Sequence, residues 1–265
     1  MARPLTYAIA LRMMLRTLTN RFLGKRGRDL LWQIAQQVAY PPDFSADDVA
    51  ICERVKAITM TSPERIISLA QSVRYIVRNR LPGAIVECGV WRGGSMAAAA
   101  LTLLSLGDTS RELYLFDTFE GMTDPSERDR SYSGVRADDV LGETARRSGR
   151  NYWCIASMED VTESMRATGY PMERIHLVRG PVEQTLPAGA PDTIALLRLD
   201  TDWYASTKHE LEHLYPRLVS RGVLIIDDYG HWEGARGAVD EYMSALSDAP
   251  LLCRIDYTGR CCVKG

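Results

Sequence analysis

The chain has 265 residues, a formal net charge of −2 and 46% hydrophobic residues, so it can bury a core without disulfides or a structural metal. This charge balance excludes a global basic field for gripping phosphate backbones, and no nucleic-acid partner is expected. Six cysteines without paired CxxC spacing read as reduced thiols, and no apolar run approaches the roughly 20 residues of a spanning helix, so the expectation is a cytoplasmic protein.

The chain opens on a basic stretch: residues 1–28 carry Arg3, Arg12, Arg16, Arg21, Lys25, Arg26 and Arg28 and no acid. Leu5, Ile9, Leu11, Met14, Leu15, Leu18 and Phe22 recur there at roughly helical spacing, which also suits a membrane-surface helix. The favoured expectation is a helix packed on the core or on a second subunit, with its arginines outward. Residues 1–80 as a whole read as an N-terminal helical extension. Ser45 caps a helix over Ala46 to Ile58, and Ser62 caps a second that has Pro63 at its first position. Ile66, Ile67, Leu69, Val73, Ile76 and Val77 form the buried stripe of this second helix.

Residues 81–265 alternate short apolar runs with amphipathic segments, the pattern of a parallel sheet flanked by helices. The predicted strands are Ala84 to Cys88, Leu113 to Asp117, Ile175 to Val178, Ile194 to Leu199 and Val223 to Asp227. A closing hairpin follows, Leu251 to Ile255 and Arg260 to Val263. Ending on a hairpin after five βα units suits a methyltransferase better than a dinucleotide fold.

The first strand runs through Glu87 into a glycine-rich turn, Gly89-Val90-Trp91-Arg92-Gly93-Gly94-Ser95, and then an apolar helix from Met96 to Leu106. Such a turn lets a ligand approach backbone amides at a helix start. Trp91 stands where GxGxxG needs its second glycine, which disfavours a pyrophosphate. S-adenosylmethionine (SAM) needs less room there, and Glu87 is placed to meet its ammonium group. Asp117, at the tip of the second strand, is placed to accept both ribose hydroxyls of an adenosyl ligand.

Strands four and five end in two carboxylate clusters, Asp200-Thr201-Asp202 and Asp227-Asp228. Neighbouring strands of an open parallel sheet point their carboxyl ends into one crevice, where like charges repel unless a cation neutralises them. Hard oxygen ligands suit Mg2+, which can take a substrate hydroxyl into an open position. Two motifs point elsewhere. His209-Glu210-Leu211-Glu212-His213 matches HExxH, but both histidines lie off the stripe of Leu211, Leu214 and Leu218 and are expected to face solvent. Tyr204 and Lys208 match YxxxK, but the GxxxGxG turn that accompanies it in dehydrogenases is missing.

Taken in order, the motifs Met60-Thr61-Ser62-Pro63-Glu64-Arg65, VECGVWRGGS (Val86 to Ser95), LFDTFEGM (Leu115 to Met122), Ser157-Met158-Glu159-Asp160-Val161, LRLDTDWYAST (Leu197 to Thr207) and IIDDYGHWEGARGAVDEY (Ile225 to Tyr242) resemble the macrocin O-methyltransferase family. The resemblance spans about Ile58 to the C-terminus. It implies a class I SAM-dependent methyltransferase fold, a Rossmann-like α/β domain with a mostly parallel seven-stranded sheet and an antiparallel last strand. It also implies SAM as donor, a Mg2+ site, a sugar or oligosaccharide acceptor and a homodimer or higher homo-oligomer.

By motif position, Asp200, Asp227 and Asp228 match the metal ligands. Glu87, Gly89, Ser95 and Asp117 match SAM contacts, Ser157 and Gly180 fall near adenine, and Met60 and Thr61 close over SAM. Asp202, Asp200 and His231 are the candidate bases, and the residues do not choose among them. Two rival readings remain: a metal-dependent catechol or phenol O-methyltransferase, and a non-catalytic SAM-binding regulatory protein, against which the acidic cluster argues.

Overall fold

The computed structural model describes residues 40–144 and 153–265. The basic helix expected over residues 1–28 lies outside them. The chain divides into two compact units, Met1–Phe44 and Ser45–Gly265. Of the first, the described residues form a short turn in which Tyr40 and Phe44 stack at 6.0 Å.

The second unit opens with α1 (Ala46–Val55) and α2 (Pro63–Arg78). Ser45 and Asp48 cap α1 reciprocally, and Ser62 caps α2 by accepting from the Arg65 amide at 3.2 Å. Of the expected α2 stripe, Ile66, Ile67, Leu69, Val73 and Ile76 are buried, while Val77 is half-buried. Each fully buried side chain of this kind contributes roughly 1.5–3 kcal/mol, so packing outweighs the roughly 1 kcal/mol of a cap. Helices α1 and α2 therefore pack within the same compact unit as the sheet.

The remaining elements are β1 (Ala84–Cys88), α3 (Gly94–Ser105), β2 (Leu113–Asp117), α4 (Ala137–Asp139), α5 (Met158–Arg166), β3 (Ile175–Arg179) and α6 (Val182–Thr185). They continue with β4 (Ile194–Leu199), α7 (Tyr204–Leu214), β5 (Leu218–Ile226), α8 (Glu233–Ser244), β6 (Cys253–Arg254) and β7 (Arg260–Val263). They build a seven-stranded sheet in the order β3-β2-β1-β4-β5-β7-β6. The first five strands run parallel; β7 is antiparallel to both β5 and β6. This is the class I methyltransferase arrangement expected from the motifs.

Every residue of β1 and β4 is buried, as a strand covered on both faces requires. In α3, Ala97 to Ala100 are buried, and their small side chains let the helix approach the sheet closely. Strand order reverses at β1, which has β2 on one side and β4 on the other, so the crevice opens above β1, β4 and β5.

Three strands differ from their expected bounds, β3 only in ending at Arg179 rather than Val178. Strand β5 begins at Leu218 rather than Val223 because Leu218 pairs with Ile194 before a register shift. Gly222 allows the irregularity, since a Cβ there would meet Leu218 Cδ1 at 2.7 Å. Strand β6 covers only Cys253 and Arg254, both exposed at the sheet edge, instead of Leu251 to Ile255.

Candidate active site

A cavity of about 660 Å³ lies at the carboxyl ends of these strands. Its lining includes Met60, Thr61, Glu87, Gly89, Ser95, Asp117, Gly180, Asp200, Asp202, Asp227, Asp228 and His231. Ser157 is not part of that lining. Its hydroxyl caps α5 by accepting from the Asp160 amide at 3.2 Å.

The turn after β1 is shaped by close approach. Gly89 has φ 81°, and a Cβ there would stand 2.1 Å from the Asp200 carbonyl oxygen, so only glycine lets β1 and β4 end side by side. Asp117 braces the same turn. Its Oδ2 accepts from the amides of Val90 at 2.8 Å and Trp91 at 3.0 Å, and its Oδ1 accepts from Phe119 at 2.8 Å. This carboxylate, expected to serve a ribose, thus already carries three backbone donors and holds the cradle in shape. Burial raises its pKa while those amides oppose the shift. Ser95 sits in the first turn of α3, where backbone amides lack partners within the helix, and lines the cavity.

Beside the cradle lies a network of charges that the motifs did not announce. Arg198, on β4 and 2% exposed, donates to Glu87, to Asp227, to Asp200 at 2.6 Å and to the Thr61 hydroxyl at 3.2 Å. Arg65, in the first turn of α2, pairs with Asp227 and, through Nε at 3.1 Å, with Asp256. The cation that such crowded acids call for is thus supplied in part by the chain itself, through these two arginines. A signal for Arg198 was present, because it interrupts an apolar strand and shares a face with Asp200 two residues on.

The arginines do not exhaust the negative charge. Burial pushes Glu87 up to about 7 despite Arg198. Burial and neighbouring carboxylates hold Asp200 and Asp228 well above the usual range, with Arg198 opposing at Asp200 and Arg65 at Asp228. Asp228 Oδ2 and Glu87 Oε2 are buried without a hydrogen-bond partner. One oxygen from each of Asp200, Asp227 and Asp228 falls within 4.8 Å of the other two. Hard, converging oxygens with an unsatisfied member fit a divalent cation.

Asp202 differs from Asp200 and Asp227. Among the described residues it pairs with no arginine. Its Oδ1 accepts from the Trp232 indole at 2.6 Å, and its backbone is left-handed at φ 65°, a conformation non-glycine residues rarely keep without a local reason. Burial and the charge of Asp200 push its pKa up to about 7. Trp203 and Trp232 pack edge to face at 5.0 Å beneath it. At the mouth, His231 lies beside Tyr257, whose hydroxyl is 3.3 Å from Nδ1, and burial lowers the histidine pKa.

The competing motifs fall outside this centre. The His209 and His213 rings meet edge to face at 4.3 Å and are half-buried rather than fully solvent-facing, while Glu210 points inward at 0% exposure. Among the described residues, only Asp200, Asp227 and Asp228 form a group able to hold a metal. Tyr204 hydrogen-bonds Glu241 at 2.6 Å, away from the cavity lining, as is Lys208.

Residues 34–263 match the model of the macrocin-O-methyltransferase family, TylF. The chain belongs to this family. Macrocin-O-methyltransferase relatives include demethyldecarbamoylnovobiocin O-methyltransferase of Streptomyces niveus, 31% identical, covering 85% of this chain and 86% of that one. A second is the 8-demethyl-8-(2,3-dimethoxy-alpha-L-rhamnosyl)-tetracenomycin-C 4'-O-methyltransferase of Streptomyces olivaceus, 33% identical over 77% of this chain and 74% of that one. Among solved structures, the O-methyltransferase NovP superposes with a TM-score of 0.68 at 32% identity, covering 78% of this chain and 81% of that one. The chain is accordingly a SAM-dependent O-methyltransferase of the macrocin O-methyltransferase family.

Proposed function

We propose that this enzyme transfers the methyl group of SAM to a hydroxyl of a sugar carried by a glycosylated small molecule or oligosaccharide, with a divalent cation, Mg2+, held by Asp200, Asp227 and Asp228. The observation that carries this reading is the meeting, in one cavity, of the Gly89 cradle and the three carboxylates with an unsatisfied Asp228 oxygen. The sugar rests on the relatives, one of which is named for methylation of a rhamnosyl derivative. The family resemblance also supports a homo-oligomer, and the cysteine spacing a cytoplasmic one.

SAM supplies an electrophilic methyl group, and the cation would polarise an acceptor oxygen and lower its pKa. The chain does the rest by placement. Glu87, Gly89, Ser95, Asp117 and Gly180 line the part that would hold SAM, and Met60 and Thr61, which also line the cavity, would close over it. Holding oxygen, methyl and sulfur in line is worth more than any single chemical group in a displacement of this kind. Glu87 has an unpartnered oxygen for the ammonium of the methionyl end. We assign the base to Asp202, because Arg198 occupies Asp200, both arginines occupy Asp227, and the Trp232 indole fixes Asp202 while it faces the cavity.

Calorimetric titration should show SAM and S-adenosylhomocysteine binding with NAD inert; NAD binding without SAM binding would overturn the cofactor cradle. For the base, Asp202→Asn preserves the Trp232 contact but cannot take a proton. Turnover should fall by roughly 10²–10⁴-fold with SAM affinity nearly unchanged. A loss of threefold or less would move the role to another residue.

A further inference from the structure

Asp227 is the most heavily committed of the three proposed metal ligands. It is 3% exposed, with Arg198 on Oδ1 and Arg65 on Oδ2. A cation bound there must share or displace one of these guanidinium groups, because a carboxylate oxygen facing an arginine donor is a poor ligand for a second cation. The two arginines are not equally able to leave. Arg198 is fixed within β4 and clamped to three acids. Arg65 stands on the first turn of α2, its side chain 12% exposed, and has a second carboxylate in reach, Asp256, at 3.1 Å from Nε. Asp256 is itself held in place by the Ser62 hydroxyl at 2.9 Å and by the amides of Thr258 and Gly259.

We propose that Arg65 is an internal substitute for the divalent cation at Asp227: it neutralises that carboxylate in the metal-free enzyme and withdraws onto Asp256 when the cation binds. The inference rests on the metal reading above and adds that cation and α2 compete for one carboxylate. Because Met60, Thr61 and Arg65 lie on one short segment lining the cavity, metal occupancy is thereby linked to the segment that covers SAM. The linkage is reciprocal: whatever loosens Arg65 tightens the metal, and metal loosens Arg65.

Metal-free full-length enzyme is titrated with Mn2+ alone, by calorimetry or water-proton relaxation. Arg65→Gln should bind Mn2+ at least roughly tenfold more tightly than wild type, since one close unit charge is removed. Arg65→Lys should fall between them. Arg92→Gln is the charge control: this side chain reaches the Ala57 carbonyl at 3.1 Å and not the acids, and its removal should change affinity less than about twofold. In parallel, Mn2+ should raise hydrogen exchange over residues 59–65 of the wild type, a readout that stands even where Arg65→Gln folds poorly.

Tighter binding by Arg65→Gln supports the proposal, including the case in which only the variant binds. Equal or weaker binding by a folded variant, an equal gain in Arg92→Gln, or unchanged or reduced exchange overturns it while leaving the metal site standing. Absence of Mn2+ binding in wild type and variant alike removes the metal reading and this inference together.

Discussion

Arg198→Met should lower the unfolding temperature by roughly 10 °C, corresponding to about 3–5 kcal/mol, the largest stability loss expected from a single substitution in the site. The reason is what remains behind. Methionine fills much of the volume on β4, yet Glu87, Asp200 and Asp227 would lose the cation they share. Replacing a buried ion pair whole can be neutral, whereas removing one partner leaves charge that burial keeps water from fully solvating. Chemical denaturation read by fluorescence checks the value. A loss below about 1 kcal/mol would show that the carboxylates are solvated or neutral without Arg198, and the electrostatic account of the site would fail.

Much of this centre could be read before any coordinates, because short strands in a doubly wound sheet leave strong marks. β1, β2, β4 and β7 fall on their expected residues, each bounded by a turn residue or a charge. The glycines at the end of β1 and the acids at the ends of β4 and β5 then follow from topology, since parallel strands deliver their ends to one crevice. The arginines were harder to see. Arg65 lies far from Asp227 in sequence, and nothing local tells that the first turn of α2 lies against the end of β5. Arg198 was visible as a charge within a strand but read as part of a motif rather than as the counter-ion of three acids.

Two other positions carry local roles that analogy does not disclose. Ser157, expected near adenine, caps the start of α5 with its hydroxyl, a use any serine before a helical run can adopt. Asp117 occupies its expected place at the tip of β2, yet three amides converge on it, a use that strand position alone does not disclose. At His209 and His213 helical periodicity puts the side chains off the core stripe, yet both are half-buried, their rings in edge-to-face contact.

The central claim is that methyl transfer here is metal-assisted and directed to a sugar oxygen by carboxylates that β4 and β5 bring together. It is tested most directly by turnover of metal-stripped enzyme with SAM and a glycoside acceptor, following S-adenosylhomocysteine release and locating the new methyl group by NMR. EDTA treatment should abolish turnover, Mg2+ should restore it, and the methyl should sit on a sugar oxygen. SAM binding should persist throughout, because the cradle belongs to β1 and β2 while the metal belongs to β4 and β5. Asp228→Asn should behave as the stripped enzyme does, with Mg2+ unable to rescue it, since it alters the carboxylate whose Oδ2 is left without a partner. Full turnover in demonstrably metal-free enzyme would contradict the account and return Asp200 and Asp227 to the role of partners for Arg65 and Arg198.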